Sequence, residues 1–151
     1  MGIRAVSHVA IGVRDMDRAL AFYRDALGLR VRADQIEDFP SIAGTPPRQR
    51  RGVYLCYSEG PDESFVVLDQ QLSIAPFGEP SQLFQVAIHH MSFWVDDIDA
   101  IAERVKAAGF EVLLMPADGD SKDWGEAPGK TIRSAFLRDP DGNTIQLDQR
   151  C

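Results

Sequence analysis

Two of the chain's three histidines open stretches that repeat one another. His8-Val9-Ala10-Ile11-Gly12-Val13-Arg14-Asp15-Met16-Asp17 is echoed by His90-Met91-Ser92-Phe93-Trp94-Val95-Asp96-Asp97-Ile98-Asp99. His8 matches His90, Val13 matches Val95, Asp15 matches Asp97 and Asp17 matches Asp99, all at one constant offset. Imidazole is the side chain that titrates near neutral pH and the commonest transition-metal ligand. A symmetric pair therefore points to a metal or to proton transfer, provided that a duplicated module brings the two rings to one cavity. The aspartates are better read as helix caps than as acids, because each follows a strand and precedes a helical pattern. Cys56 has no histidine neighbour in sequence and reads as a buried, inert thiol.

The elements that must carry these residues follow from periodicity. Residues 7–13 alternate, with Val9, Ile11 and Val13 on one face and His8, Ala10 and Gly12 on the other. The first set packs on a helix; the second is small enough to leave a cavity. A helix runs from Asp15 or Asp17 to about Leu27 and stops at Gly28. Strands are expected at 29–33, 52–57 and 65–69, with an irregular loop over 34–51 and a turn at Glu59-Gly60-Pro61-Asp62. Residues 1–71 then form one strand–helix–three-strand module, 72–85 a connector and 86–151 the second module. The second copy reads as a strand over 86–95, a helix over 97–108 ended by Gly109, and a strand over 110–115. An irregular loop follows over 116–130, containing Trp124, and is a candidate lid. Last comes a hairpin of 131–137 and 144–148 around Asp139-Pro140-Asp141-Gly142-Asn143, where Asp-Gly between apolar runs is a strong turn signal.

Composition narrows the partners. At 151 residues the chain is long enough for one domain with a real core. A formal net charge of -7 excludes a general nucleic-acid binder, which needs a cationic surplus. Two cysteines make no disulfide framework, and no apolar run is long enough to span a bilayer or serve as a signal peptide, so the expected setting is the cytoplasm. Arg48, Arg50 and Arg51 could meet an anionic substrate; a solvated loop is the plainer reading.

Taken together, Ser7-His8-Val9-Ala10, Phe22-Tyr23 before Leu27-Gly28-Leu29, His89-His90-Met91-Ser92-Phe93-Trp94-Val95-Asp96-Asp97, and Asp139-Pro140-Asp141-Gly142-Asn143-Thr144-Ile145-Gln146-Leu147 resemble the vicinal oxygen chelate superfamily. That superfamily includes glyoxalase I, methylmalonyl-CoA epimerase, extradiol dioxygenases and bleomycin-resistance proteins. The resemblance implies an α+β fold of two βαβββ modules, forming an open, eight-stranded curved sheet around a cavity. It also implies a small-molecule substrate and a homodimer. It places metal ligands on the first and last strands of each module: His8, His90 rather than His89, and Gln146. The fourth position holds Val67, which cannot ligate and would line the substrate site with Trp94, a surface for stacking on a flat ligand. Asp69 and Asp148 lie one strand step beyond and are remote substitutes. No general base stands out, since the glutamate that would move protons is replaced by Val67.

Three readings stay open. In one, Fe, Mn, Ni, Co or Zn chelates vicinal substrate oxygens in the cavity between the modules, giving an enzyme of glyoxalase or dioxygenase type. In the second, the cavity is metal-free and sequesters an aromatic drug or natural product, as bleomycin-resistance proteins do. In the third, a metal-free catalyst uses His8 or His90 as acid or base.

Overall fold

Asp15 and Asp97 act as the repeat predicts. Asp15 Oδ1 accepts from the backbone N–H groups of Asp17 and Arg18, each at 3.0 Å, and Asp97 Oδ1 accepts from Ala100 N–H at 2.9 Å. Each thereby satisfies donors that a helix start leaves unpaired. The structure, a computed structural model, describes residues 2–3, 5–57 and 64–151. It divides into two compact units, residues 1–78 and 79–151, and each repeats the order strand, helix, three strands.

In the first unit, β1 (His8–Gly12) leads into α1 (Met16–Leu20), which widens into a π-helical turn over Ala21–Ala26. Then come β2 (Arg30–Phe39), β3 (Arg48–Cys56) and β4 (Phe65–Gln71), in the sheet order β1-β4-β3-β2. β1 runs parallel to β4, and the other pairs are antiparallel. Met16, Ala19, Leu20, Phe22 and Tyr23 are buried, as are Val53, Leu55, Val66 and Leu68 of the strands. Period-2 alternation places those four strand residues on one face, which leaves Tyr54, Phe65, Val67 and Asp69 on the other. The helical segment ends at Gly28, whose φ of 91° is the left-handed conformation glycine adopts without penalty.

The second unit repeats this with β5 (Met91–Trp94), α2 (Ile98–Ala107), β6 (Val112–Asp120), β7 (Thr131–Arg138) and β8 (Thr144–Arg150), in the order β5-β8-β7-β6. Ile98, Ala102 and Val105 of α2 are buried with Ala135, Leu137, Ile145 and Leu147. The α+β class and the two βαβββ modules are as expected, with the eight strands arranged as two four-stranded sheets. No helix among the described residues is long and apolar enough to cross a membrane.

Three expected boundaries are corrected. Residues 34–51 are not one irregular loop: β2 and β3 form a long hairpin whose register runs from Asp34↔Val53 to Phe39↔Arg48. Acidic residues on one strand meet arginines on the other, and that pairing extends the ladder to the Pro-rich turn. The strand expected over 86–95 is confined to Met91–Trp94, because Met91 pairs with Ile145 and β8 begins only one residue earlier, at Thr144. Residues 116–130 are largely ordered: β6 continues to Asp120, and Ser121–Trp124 form a 3-10 turn. Buried Ser121 donates to Ala127 O at 2.6 Å. A Cβ at Gly119 would lie 3.0 Å from the Trp124 ring, so glycine there admits the indole. The turn expected at Glu59-Gly60-Pro61-Asp62 lies outside the described residues.

Candidate functional site

On the first sheet, the face opposite the helix carries a continuous row of side chains. His8 is exposed, and its ring stacks on Phe65 with centroids 5.1 Å apart at 19°. Val67 is 3% exposed and pairs with Ala10 on one side and Tyr54 on the other. Valine there supplies an apolar wall and no donor.

Beyond Val67 the row becomes a charged network that composition did not foretell. Arg50 pairs with Asp69 and donates from Nε to Glu37 Oε2 at 2.8 Å. Tyr54 Oη donates to Glu37 Oε1 at 2.7 Å, and Gln71 Nε2 donates to Asp69 Oδ1 at 2.7 Å. Burial works to raise the Glu37 carboxyl, but hydrogen bonds from Tyr54, Gln35 and Arg50 outweigh it and hold the group below the usual range. Burial likewise opposes the Arg50 charge, and its bonds to Asp69 and Glu37 more than restore it. The bond to Glu37, with burial adding, pushes the Tyr54 phenol up. Near neutral pH the network is thus a protonated phenol, an ionised Glu37 and a guanidinium. It supplies fixed charge, not a base of matched strength. Gly52 makes room for it, since a Cβ there would sit 2.8 Å from Glu37 Oε2.

These residues were legible in part. Asp34, Glu37 and Asp38 precede Gly44-Thr45-Pro46-Pro47, and Arg48, Arg50 and Arg51 follow it. An acidic run and a basic run flanking a turn are the signature of a charge-paired hairpin. The arginine cluster is therefore not a solvated loop. Arg50 faces the network, while Arg51 holds Asp34 at 2.7 Å and Asp17 at 3.3 Å.

In the second unit, Gln146 is buried on β8 beside Ser92, its register partner. Its Nε2 donates to Ser134 Oγ at 3.0 Å and to Asp148 Oδ1 at 2.8 Å. Asp148, 3% exposed, also accepts from the hydroxyls of Ser92 and Ser134. Both amide hydrogens of Gln146 are thus committed, which fixes the side chain's orientation. His90 precedes β5; its Nδ1 lies 2.9 Å from Nδ1 of His89, and its ring meets Phe136 edge-on at 6.4 Å. Trp94 is 50% exposed, and the Arg150 guanidinium lies 3.5 Å from its ring centroid, so a cation already covers one face of the indole. Asp69 accepts from Arg50 and Gln71, and Asp148 from Ser92, Ser134 and Gln146. Among the described residues, no three His, Cys, Asp or Glu side chains gather into one metal-binding cluster.

Two βαβββ modules, one opening its first strand with His8 and the other with His90 just before it, define a class, and comparison with known proteins identifies it. The profile of the Glyoxalase/Bleomycin resistance protein/Dioxygenase superfamily matches residues 5–147, and the chain belongs to that superfamily. It is 31% identical over 147 residues to an ethylmalonyl-CoA/methylmalonyl-CoA epimerase of Cereibacter sphaeroides, covering 97% of this chain and 98% of that protein. It is 26% identical over 142 residues to a lactoylglutathione lyase of Haemophilus influenzae, covering 94% and 90%. A probable chloroplastic lactoylglutathione lyase of Arabidopsis thaliana is 30% identical, and there the chain spans only 36% of the relative's length. Among solved structures, a glyoxalase family protein from Bacillus cereus superposes with a TM-score of 0.76 over 99% of this chain and 98% of that one. At 17% identity this shows the fold alone. The curated relatives are lyases and an epimerase, which supports an enzyme in general terms.

Proposed function

We propose that the protein is a glyoxalase-superfamily enzyme that takes a small oxygenated substrate, with His8, His90 and Gln146 as donors to a divalent transition metal. The observation that supports this most is the Gln146 amide. Its two N–H groups are spent on Ser134 and Asp148, so its carbonyl oxygen is the end left for a ligand. The His89–His90 contact adds to this. An N–H on His90 Nδ1 donated to His89 leaves the other ring nitrogen with its lone pair free.

Two imidazoles and an amide oxygen are a donor set suited to Fe, Mn, Ni, Co or Zn. When bound, such a metal supplies Lewis-acid polarisation of vicinal substrate oxygens. The chain's own contributions are distinct. Val67 gives an apolar wall where a carboxylate would otherwise take protons. Tyr54 spends its one hydroxyl hydrogen on Glu37 and is open only as an acceptor. Trp94 offers the ring face that Arg150 leaves open. The same reading has the protein acting as a homodimer in the cytoplasm.

Metal content of the purified protein, measured by mass spectrometry, tests the proposal. Near-stoichiometric transition metal is expected, and its loss in a His8→Ala, His90→Ala double variant. The buried, apolar Val67 favours a second reading, a metal-free binder of aromatic natural products. Protein without metal whose tryptophan fluorescence is quenched by aromatic ligands would decide for that one.

A further inference from the structure

The first unit holds a cavity of about 170 Å³ that shares Arg50, Asp69 and Gln71 with the charged network but none of the proposed metal donors. It lies under the turn joining β2 to β3, and Phe39, Ile42 and Pro46 form its apolar side. Arg48, Arg50, Asp69 and Gln71 form its polar side. The volume is below the ~300–1,000 Å³ typical of drug-sized ligands, so a small ligand, or one end of a larger one, is what fits.

The polar side is incompletely satisfied. Arg50 is matched by both Asp69 and Glu37, and neither carboxylate pairs with Arg48. Arg48 forms no ion pair among the described residues. Its guanidinium lies 5.4 Å from the Phe77 centroid, a contact that consumes none of its N–H donors. Arg48 Nε is buried without a hydrogen-bond partner, and so is Gln71 Oε1. Leaving a buried donor and a buried acceptor unpaired is costly, and a charged donor more so. A single ligand relieves both if it brings an anionic acceptor to Arg48 and a hydroxyl donor to Gln71. Its remaining atoms must be apolar enough to rest on Phe39, Ile42 and Pro46.

From this geometry we infer that the cavity is a binding subsite for a small 2-hydroxy carboxylate with a branched aliphatic tail. Arg48 takes the carboxylate and Gln71 the hydroxyl. The inference does not rest on the proposed metal chemistry.

The test is calorimetric titration of the whole protein in the presence of EDTA, so that chelation by a metal contributes nothing. The probes are 2-hydroxyisovalerate, its amide, and isovalerate. The hydroxy acid is expected to bind at about 1 mM or tighter, with the amide and the deoxy acid each about 10-fold weaker. Arg48→Gln is expected to abolish the preference for acid over amide. Ile42→Trp, which fills the apolar side and alters no charge, is expected to remove binding as well. Circular dichroism and thermal melting verify that both variants fold. The His8→Ala, His90→Ala double variant is expected to retain wild-type affinity. Absence of heat with the hydroxy acid, equal binding of acid and amide, or undiminished affinity in Arg48→Gln would each overturn the inference.

Discussion

Gln146 shows how a single residue couples the site to the stability of the sheet. Its amide bridges Ser134 and Asp148, and Asp148 is buried with only hydroxyl and amide donors around it. A glutamate at this position, the residue the family resemblance implies, would set a second carboxylate against Asp148. Two such groups in contact cannot both stay ionised, and one must take up a proton. Gln146→Glu is therefore expected to lose about 1–3 kcal/mol of stability at pH 7 in metal-free protein. Acidification to about pH 5 should recover part of this, because a shared proton replaces the lost N–H. Added Zn or Mn should recover more, since the new carboxylate is a stronger ligand than an amide. Urea titrations at two pH values, with and without metal, measure all three effects. Gln146 was legible from the Asp-Pro-Asp-Gly-Asn hairpin that precedes it. Ser134 and Asp148 were not legible as its partners, because only the β7–β8 register Ser134↔Asp148 brings them together.

At the scale of elements, the duplication extends further than the histidines. Arg51 on β3 holds Asp17 in the first turn of the helix and Asp34 on β2. Arg133 on β7, at the same offset as His90 from His8, holds Asp99 in the first turn of α2 and Asp118 on β6. Each module thus clamps its helix start to two strands through one arginine. Asp17 and Asp99 are ion-pair partners, whereas Asp15 and Asp97 are the caps. The clamps are exposed, with Asp17 at 89% and Asp99 at 59%, so each contributes little and is screened by salt. Asp15→Ala and Asp97→Ala are expected to cost about 1 kcal/mol each with little salt dependence. Arg51→Met and Arg133→Met should cost less, and their effect should shrink between low salt and about 0.5 M. Urea unfolding at the two ionic strengths separates caps from clamps. The caps were legible because an aspartate before an apolar helical pattern has a local meaning. The clamps were not, because an arginine in a strand finds its partner only after the strands have paired. The β2–β3 hairpin has no purely local signature for the same reason: Pro and Gly mark its turn, but the charge complementarity that extends its ladder lies across the turn.

For the whole molecule, membership of the superfamily settles the architecture and leaves the reaction to the side chains, because one fold hosts many chemistries. Relatives named as lactoylglutathione lyases match this chain over most of its length. The resemblance implies that such chemistry relies on a carboxylate at the last-strand position of the first module. Here that position is Val67, buried and apolar. None of the neighbouring groups is free to replace it. Asp69 is bound by Arg50 and Gln71, and Glu37 is held ionised by three donors. The Tyr54 phenol is pushed further from ionisation. Glu37, stabilised in this way, is a poor proton acceptor, since the interactions that lower its pKa must be given up on protonation. The protein is therefore expected to show no measurable turnover of lactoylglutathione in a side-by-side assay with the Haemophilus influenzae relative, at equal enzyme and with the same added metals. Val67→Glu is expected to be less stable, because it buries an uncompensated carboxyl beside Ala10 and Tyr54. Any turnover it gained would identify residue 67 as a determinant of proton-transfer chemistry in this fold. Turnover by the unmodified protein would instead place the base on a group other than Asp69, Glu37 and Tyr54.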